Sequence, residues 1–132
     1  DKAMELIKKA HDQKPGDGYI TDSLAWANYR LGRNQDAVAP MEDAVSLMPQ
    51  DSLVNDHLGD IYWMAGRKRE AAFQWKRALS FGPETEEEAH RIRMKLERGL
   101  DAVLEEEAAH GGKLPPPPTP PAETVKDAAP VE

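Results

Sequence analysis

The sequence of 132 residues contains no cysteine, and none of its apolar runs approaches the roughly 18 residues that a membrane-spanning helix needs. The missing cysteine excludes disulfides and thiolate metal sites but indicates no compartment. Basic charge is also scarce, with 17 Lys and Arg against 24 Asp and Glu and a net charge of −7. A protein that tracks nucleic-acid phosphates should present a basic surface, so this balance argues against nucleic-acid binding.

The sequence does contain a repeat with a period of 34 residues. The stretches LAWANYRLGR (24–33) and LGDIYWMAGR (58–67) carry Leu, a small residue, aromatics and Gly-Arg at the same offsets. Positions spaced by this period include Pro15, Pro49 and Pro83; Ala3, Ala37 and Ala71; Ala10, Ala44 and Ala78; Ile7, Met41 and Trp75; Leu24, Leu58 and Ile92; Gly32 and Gly66; and the helix-capping residues Asp17, Asp51 and Thr85. A fixed period of this length predicts supersecondary units that hide their apolar faces by stacking.

The pattern within each unit predicts two helices separated by a glycine. We predict helices over 19–31, 35–47, 53–64 and 68–80, preceded by the remnant of a helix at 2–13. Small residues recur where two helices must approach closely, and bulky Met41 and Trp75 fill the space between layers. For the first helix of the first complete unit we predict a core face made of Ile20, Leu24, Ala27 and Leu31.

At these positions the sequence resembles the tetratricopeptide repeat (TPR) family. The second unit matches the family pattern at Leu58, Gly59, Tyr62, Gly66, Ala71, Trp75, Ala78 and Pro83, whereas the first has Asn28 where Tyr is usual. The resemblance implies an all-α helix-turn-helix solenoid. The expected divisions are the remnant of a preceding repeat (1–15), two repeats (16–49 and 50–83), a capping helix (84–110) and a Pro-rich acidic tail (111–132).

The predicted capping helix begins with a capping box formed by Thr85 and Glu88. Its apolar stripe consists of Ala89, Ile92, Leu96, Leu100 and Val103. Arg93 stands at the close-approach position of Ala25 and Gly59, which indicates that no further helix packs there, and Gly99 either breaks the helix or weakens it. The tail should be extended over Pro115–Pro121, either as a spacer or docked on another chain or on the chain's own groove.

Candidate chemistry is sparse. The four histidines are dispersed, and the one close cluster of titratable groups is Asp56, His57 and Asp60. Neighbouring residues on a helix point in different directions, so Asp56 and His57 should not converge. The glycines end helices and do not follow strands, which excludes a phosphate loop. We therefore expect no catalytic, cofactor or metal site and no enzyme activity.

A second polar and aromatic face gives the functional expectation. In TPR solenoids this helical phase lines the concave groove, so the resemblance implies a partner-binding groove made of Tyr19, Asp22, Trp26, Tyr29, Asp56, Asp60 and Trp63. The alternative is that neighbouring helices bury these aromatics as core. Chaperone-type TPR modules that clamp an acidic C-terminus use Lys and Asn at these positions, whereas this sequence has Asp. We therefore expect the partner to be an extended or helical segment with apolar side chains and neutral or basic character.

The expected function is a non-catalytic adaptor or scaffold that holds a partner polypeptide. The alternatives are a structural subunit embedded in a larger complex and a regulatory domain of an enzyme encoded upstream, since the chain starts at Asp1 without Met or a signal-like segment. The segment NDHLGDIYWMAGRKREAAFQWKRAL (55–79) is also similar to terminal repeats of proteobacterial TPR proteins, some of them outer-membrane lipoproteins that act as adaptors for periplasmic proteases. That likeness implies an exported protein with periplasmic or outer-membrane association.

Overall fold

The structure is a computed structural model that describes residues 2–116, and all regular secondary structure in that range is α-helical. The helices are α1 (Lys2–Gln13), α2 (Gly18–Arg30), α3 (Asn34–Leu47), α4 (Ser52–Met64), α5 (Lys68–Ser80), α6 (Glu86–Arg98) and α7 (Leu100–Ala109). The first five helices begin and end within one residue of the predicted bounds, which confirms the all-α prediction. Asp1 and residues 117–132, including most of the predicted Pro115–Pro121 segment and the acidic tail, lie outside the described residues.

The helix starts follow from the capping residues in the sequence. Asp17 accepts hydrogen bonds from the backbone N–H groups of Tyr19 and Ile20, and Asp51 accepts one from Val54 at 3.0 Å. At the start of α6, Thr85 and Glu88 bond to each other's backbone N–H, so the predicted capping box is confirmed. These bonds satisfy N–H groups that the first turn of a helix leaves without partners.

Close packing between paired helices depends on small residues on one side and bulky ones on the other. Trp75 is almost fully buried. The fully buried residues include Met41 and five alanines: Ala25, Ala37, Ala44, Ala71 and Ala78. A Cβ at Gly59 would lie 2.4 Å from the Trp75 ring, so only glycine allows α4 and α5 to approach at this distance. The repeat positions thus supply the core that holds α2 to α5 together.

The predicted core face of α2 is wrong. The buried residues of this helix are Gly18, Thr21, Ala25 and Asn28. Of the four residues predicted, Ile20, Leu24 and Ala27 are half-buried, and Leu31 is 45% exposed. Helices approach most closely where their side chains are small, so the fully buried stripe passes through Ala25 and the larger apolar residues lie on its flank.

The C-terminal cap consists of two helices instead of one. Gly99 adopts φ 91° and ψ 155°, and this turn sends α7 back along α6. Arg91 forms a paired contact with Glu107 at 2.5 and 3.0 Å, and Arg98 contacts Glu106 at 2.5 Å. The predicted apolar stripe is nevertheless correct, because its members on both sides of the break are buried or packed against the core: Ala89, Ile92, Leu96, Leu100 and Val103.

Substitution of Gly99 should loosen this turn. The backbone at Gly99 lies in a region that is essentially restricted to glycine, and an added Cβ would stand 2.8 Å from the Trp63 ring. We expect Gly99→Ala to lower the free energy of unfolding by about 1–3 kcal/mol, as measured by urea denaturation.

Gly82→Ala is the matched control. Gly82 also has a positive φ, of 87°, but a Cβ there would meet no atom within 4 Å. It should show the backbone cost without the clash against Trp63. Equal losses in the two variants would contradict the packing role given to Gly99.

Candidate partner-binding face

The seven residues predicted to form a groove lie on α2 and α4, and the structure places them in three different environments. We call the side of these helices that carries Tyr19, Trp26, Tyr29, Asp56 and Trp63 the inner face. Tyr19 is 69% exposed at the start of α2, whereas Trp26, Tyr29 and Trp63 are half-buried and pack at the margin of the core. None of these four aromatics is sealed in the interior.

An aromatic stack stands at the centre of the inner face. The Trp26 ring lies 4.5 Å from the Tyr29 ring and 3.8 Å from the His57 ring, with interplanar angles of 24° and 17°. On the α4 side, His57 Nδ1 lies 2.8 Å from Asp22 Oδ1. Asp22 therefore orients His57, and His57 in turn supports Trp26, so this part of the face is rigid.

His57 was missed as a member of the inner face. Within its own helix, His57 has only Asp56 and Asp60 as titratable neighbours, and with them it forms only a fragment of a titratable site. The signal in the sequence is the position of His57, one residue after Asp56 on α4. The equivalent helix of the preceding repeat, α2, carries Asp22 and Trp26. Its partners come from α2, across the gap between neighbouring repeats.

An ionic cluster pairs two of the predicted groove acids with a buried lysine. Lys95 of α6 reaches across to α4, where its Nζ lies 2.5 Å from Asp56 Oδ1 and 2.7 Å from Asp60 Oδ1. Trp75 Nε1 donates a further hydrogen bond of 3.0 Å to Asp60 Oδ1. Asp60 is 3% exposed, and the Lys95 side chain is completely buried. Asp60 of α4 is therefore linked both to Trp75 of α5 and to Lys95 of α6.

Two pKa values on this face are shifted by burial. Burial raises the pKa of the Asp60 carboxyl, while the Lys95 charge opposes the rise and the nearby Asp56 carboxylate adds to it. Burial, followed by the charge of Asp60, raises the pKa of Tyr29 to about 12. Tyr29 accordingly stays neutral at physiological pH and presents an uncharged aromatic surface.

Trp63 differs from the other aromatics in its surroundings. Its ring lies 5.6 Å from the Trp75 ring, Lys68 Nζ stands 4.6 Å above it, and Gly99 abuts its edge. The indole Nε1 is buried and has no hydrogen-bond partner among the described residues. Trp63 thus serves chiefly as a platform for the turn between α6 and α7.

Two cavities open on the inner face at opposite ends of α2. The first, here the Trp26 pocket, has a volume of about 460 Å³ and is lined by Trp26, Tyr29, Arg30, Gly32, Asn34, Asp60, Met64, Arg91 and Leu104. The second, here the Tyr19 pocket, has a volume of about 360 Å³ and includes Tyr19, Asp51, Leu53, Asp56, Glu84 and Glu88. Of the seven residues predicted to form the groove, Trp26, Tyr29 and Asp60 line the first cavity and Tyr19 and Asp56 the second.

Metal-ligand groups and membrane-spanning helices were sought in the part of the chain that the structure describes. In residues 2–116, no group of three His, Asp or Glu side chains is arranged to hold a metal ion. No helix in the same range combines the length and the apolar character that crossing a membrane requires. The titratable groups of the Lys95 cluster converge as well, and they are paired with one another inside the protein.

Comparison with known proteins agrees with the architecture. No family model matches the chain. Over 59 residues the chain is 44% identical to a TPR repeat-containing protein of Pseudomonas aeruginosa, and the alignment covers 45% of this chain and 10% of that relative. Considered with the 34-residue period and the stacked helix pairs, this similarity supports a tetratricopeptide-repeat architecture, whose repeats generally form non-catalytic protein-interaction modules.

Proposed function

We propose that this chain is an adaptor that binds a partner polypeptide on the inner face, with an apolar side chain of the partner in the Trp26 pocket. The supporting observation is the rigid Trp26, Tyr29 and His57 stack beside an open cavity of about 460 Å³. Ligand cavities typically have volumes of a few hundred cubic ångströms, and Trp and Tyr are enriched among residues that dominate interface energy. The half-buried aromatics offer such a surface at little entropic cost.

The Tyr19 pocket suggests the charge of the partner. Its lining includes four carboxylates, of which Glu84 is exposed and forms no ion pair within the described residues. A neutral or basic side chain of the partner would complement this end. Tyr19 and Trp26 are seven positions apart on one helix, or about 10 Å, which three residues of an extended segment span.

The acids first expected to select a basic partner contribute less than the pattern indicates. Asp22 is paired with His57, and both Asp56 and Asp60 with Lys95. Charge selection is therefore assigned to the rim around Glu84, and affinity to the aromatic stack. A rim charge mainly affects the association rate, whereas the apolar anchor determines the lifetime of the complex.

Replacement of Trp26 by alanine tests the proposal. Peptides retained by the intact chain on an array of random extended sequences would be resynthesised, and their affinities measured by fluorescence anisotropy. We expect Trp26→Ala to weaken binding by roughly tenfold or more, because a central aromatic anchor is typically worth about 2 kcal/mol or more.

The control variant is Phe73→Ala, which removes an aromatic of similar type that is exposed on α5 and lines neither pocket. It should leave the affinity unchanged. Retention of full affinity by Trp26→Ala, or an array on which no peptide is retained, would contradict a binding role for this face.

A further inference from the structure

Part of the inner face is already covered by α7. Gly99, which precedes α7, abuts Trp63, and Leu104 forms one wall of the Trp26 pocket opposite Trp26 and Tyr29. Packed mainly against α6, α7 therefore borders the inner face at Trp63 and at the Trp26 pocket. Leu104 is 39% exposed, so the contact with the pocket is open at its edge.

The direction of α7 departs from the repeat pattern for an identifiable reason. In the preceding repeat, Gly59 lets the second helix, α5, pack closely behind α4. The equivalent position on α6, 34 residues later, is Arg93, whose side chain is 46% exposed and pairs with Glu86. The bulky residue leaves no room for a close helix there. The turn at Gly99 directs α7 to the inner face instead.

Two kinds of contact hold α7 in place. Leu100 and Val103, one helical turn apart, are fully buried. On the flank, Glu107 accepts two hydrogen bonds from Arg91, and Glu106 accepts one from Arg98. Arg91 also lines the Trp26 pocket, so its charge is close to the cavity. The surface beneath α7 thus combines an apolar floor with two arginines, and an acidic amphipathic helix complements both features.

We propose that this surface is a binding site for an acidic amphipathic helix, that α7 is its resident occupant, and that a helix of the same pattern in a partner protein replaces α7. The partner helix would carry apolar residues one turn apart, followed by adjacent glutamates that pair with Arg91 and Arg98. The inference rests on the proposed function and defines the class of partner for the half of the inner face around Trp63 and the Trp26 pocket. Because α7 is tethered next to its own site, its effective concentration there is in the millimolar range. A partner helix must therefore bind the site more tightly than α7 does, or α7 must first be loosened.

The test uses the whole chain and a labelled peptide with the sequence of residues 100–110, LDAVLEEEAAH. The double variant E106K/E107K removes both ion pairs of α7 but leaves the arginines available. We expect this chain to bind the peptide on the order of tenfold more tightly than the unchanged chain, and amide exchange of residues 100–109 to accelerate. The control E105K makes one Glu-to-Lys exchange, half the charge change of the double variant, at an exposed residue of α7 for which the described structure shows no ion pair, and it should behave as the unchanged chain.

A charge exchange keeps the proposal testable if E106K/E107K does not fold. The chain R91E/R98E should lose affinity for the native peptide and gain it for the peptide carrying E106R and E107R. Failure of both altered chains to bind their matching peptides would overturn the proposal, as would equal binding by E105K and E106K/E107K. If peptides from the array still bind in a Trp26-dependent manner in that case, the proposed function stands and only the role of α7 is rejected.

Discussion

Replacing Lys95 with methionine is expected to lower the free energy of unfolding by about 3–5 kcal/mol, because it leaves a buried carboxylate without its counter-charge. Lys95 connects α6 to α4 through Asp56 and Asp60, and its side chain is fully buried. Methionine fills a similar volume but supplies neither charge nor hydrogen-bond donors. Chemical denaturation followed by far-UV circular dichroism at neutral pH measures the loss.

The loss should depend on pH in a defined direction. Burial already raises the pKa of Asp60, and removal of Lys95 deletes the interaction that opposes this rise. A carboxyl whose folded-state pKa lies above its unfolded value of about 3.9 binds a proton more readily in the folded state. The stabilisation from that proton is fully present below the unfolded pKa and is lost as the pH rises through the folded pKa. The deficit of Lys95→Met against the unchanged chain should therefore be larger at about pH 8 than at about pH 4.

Lys76→Met provides the control, since Lys76 is an exposed lysine on α5. Exposed substitutions usually change stability by less than about 0.5 kcal/mol, and no pH trend is expected from this one. A Lys95→Met variant whose deficit is constant across the same pH range would show that Asp60 does not carry the uncompensated charge.

Replacing Trp75 with alanine is the second change with a large expected effect, of about 3–5 kcal/mol. Trp75 is 1% exposed and fills the space opposite Gly59, where no side chain exists to relax into the resulting cavity. The substitution also removes the hydrogen bond from its indole Nε1–H to Asp60. Since small domains have total stabilities of about 5–15 kcal/mol, much of the fold's margin would be lost.

Phe73→Ala, on the same helix, distinguishes burial from residue type. Phe73 is exposed, and the guanidinium carbon of Arg77 lies 5.7 Å from the centre of its ring. Its removal should cost less than about 1 kcal/mol in the same denaturation experiment. Comparable losses from Trp75→Ala and Phe73→Ala would contradict the assignment of Trp75 as the central packing residue between α4 and α5.

The sequence predicted the fold well because a repeat imposes the same packing problem at every turn. Positions such as Ala37, Ala71, Met41 and Trp75 recur because each layer must fit the next, so their burial could be foreseen from spacing alone. The capping residues likewise act within a few positions of the chain. The core face predicted for α2 is wrong because apolar character alone does not determine burial, whereas side-chain size at the close approach does.

The candidate site was less predictable because its contacts cross between repeats. Lys95 is a single lysine beside an apolar stripe, and nothing nearby in the chain indicates that its partners lie 35 and 39 residues earlier. His57 finds Asp22 in the same way, across a separation of 35 residues. The course of α7 depends on the backbone conformation of Gly99. The apolar stripe continues on both sides of this glycine, so the stripe by itself does not reveal the turn. Pairings of this kind depend on the relative rotation of neighbouring helices, which a periodic pattern does not specify.

The turn at Gly99 also determines where the chain leaves the repeats. In a straight helix from Glu86 to residue 110, the two ends would lie roughly 35 Å apart. Instead, residues 113–116 lie beside the first turns of α6, in a cavity that is also lined by Glu87 and His90. Arg91 lines both this cavity and the Trp26 pocket. The C-terminal end of the described chain is therefore a neighbour of the pocket proposed for the partner, and Arg91 stands between them.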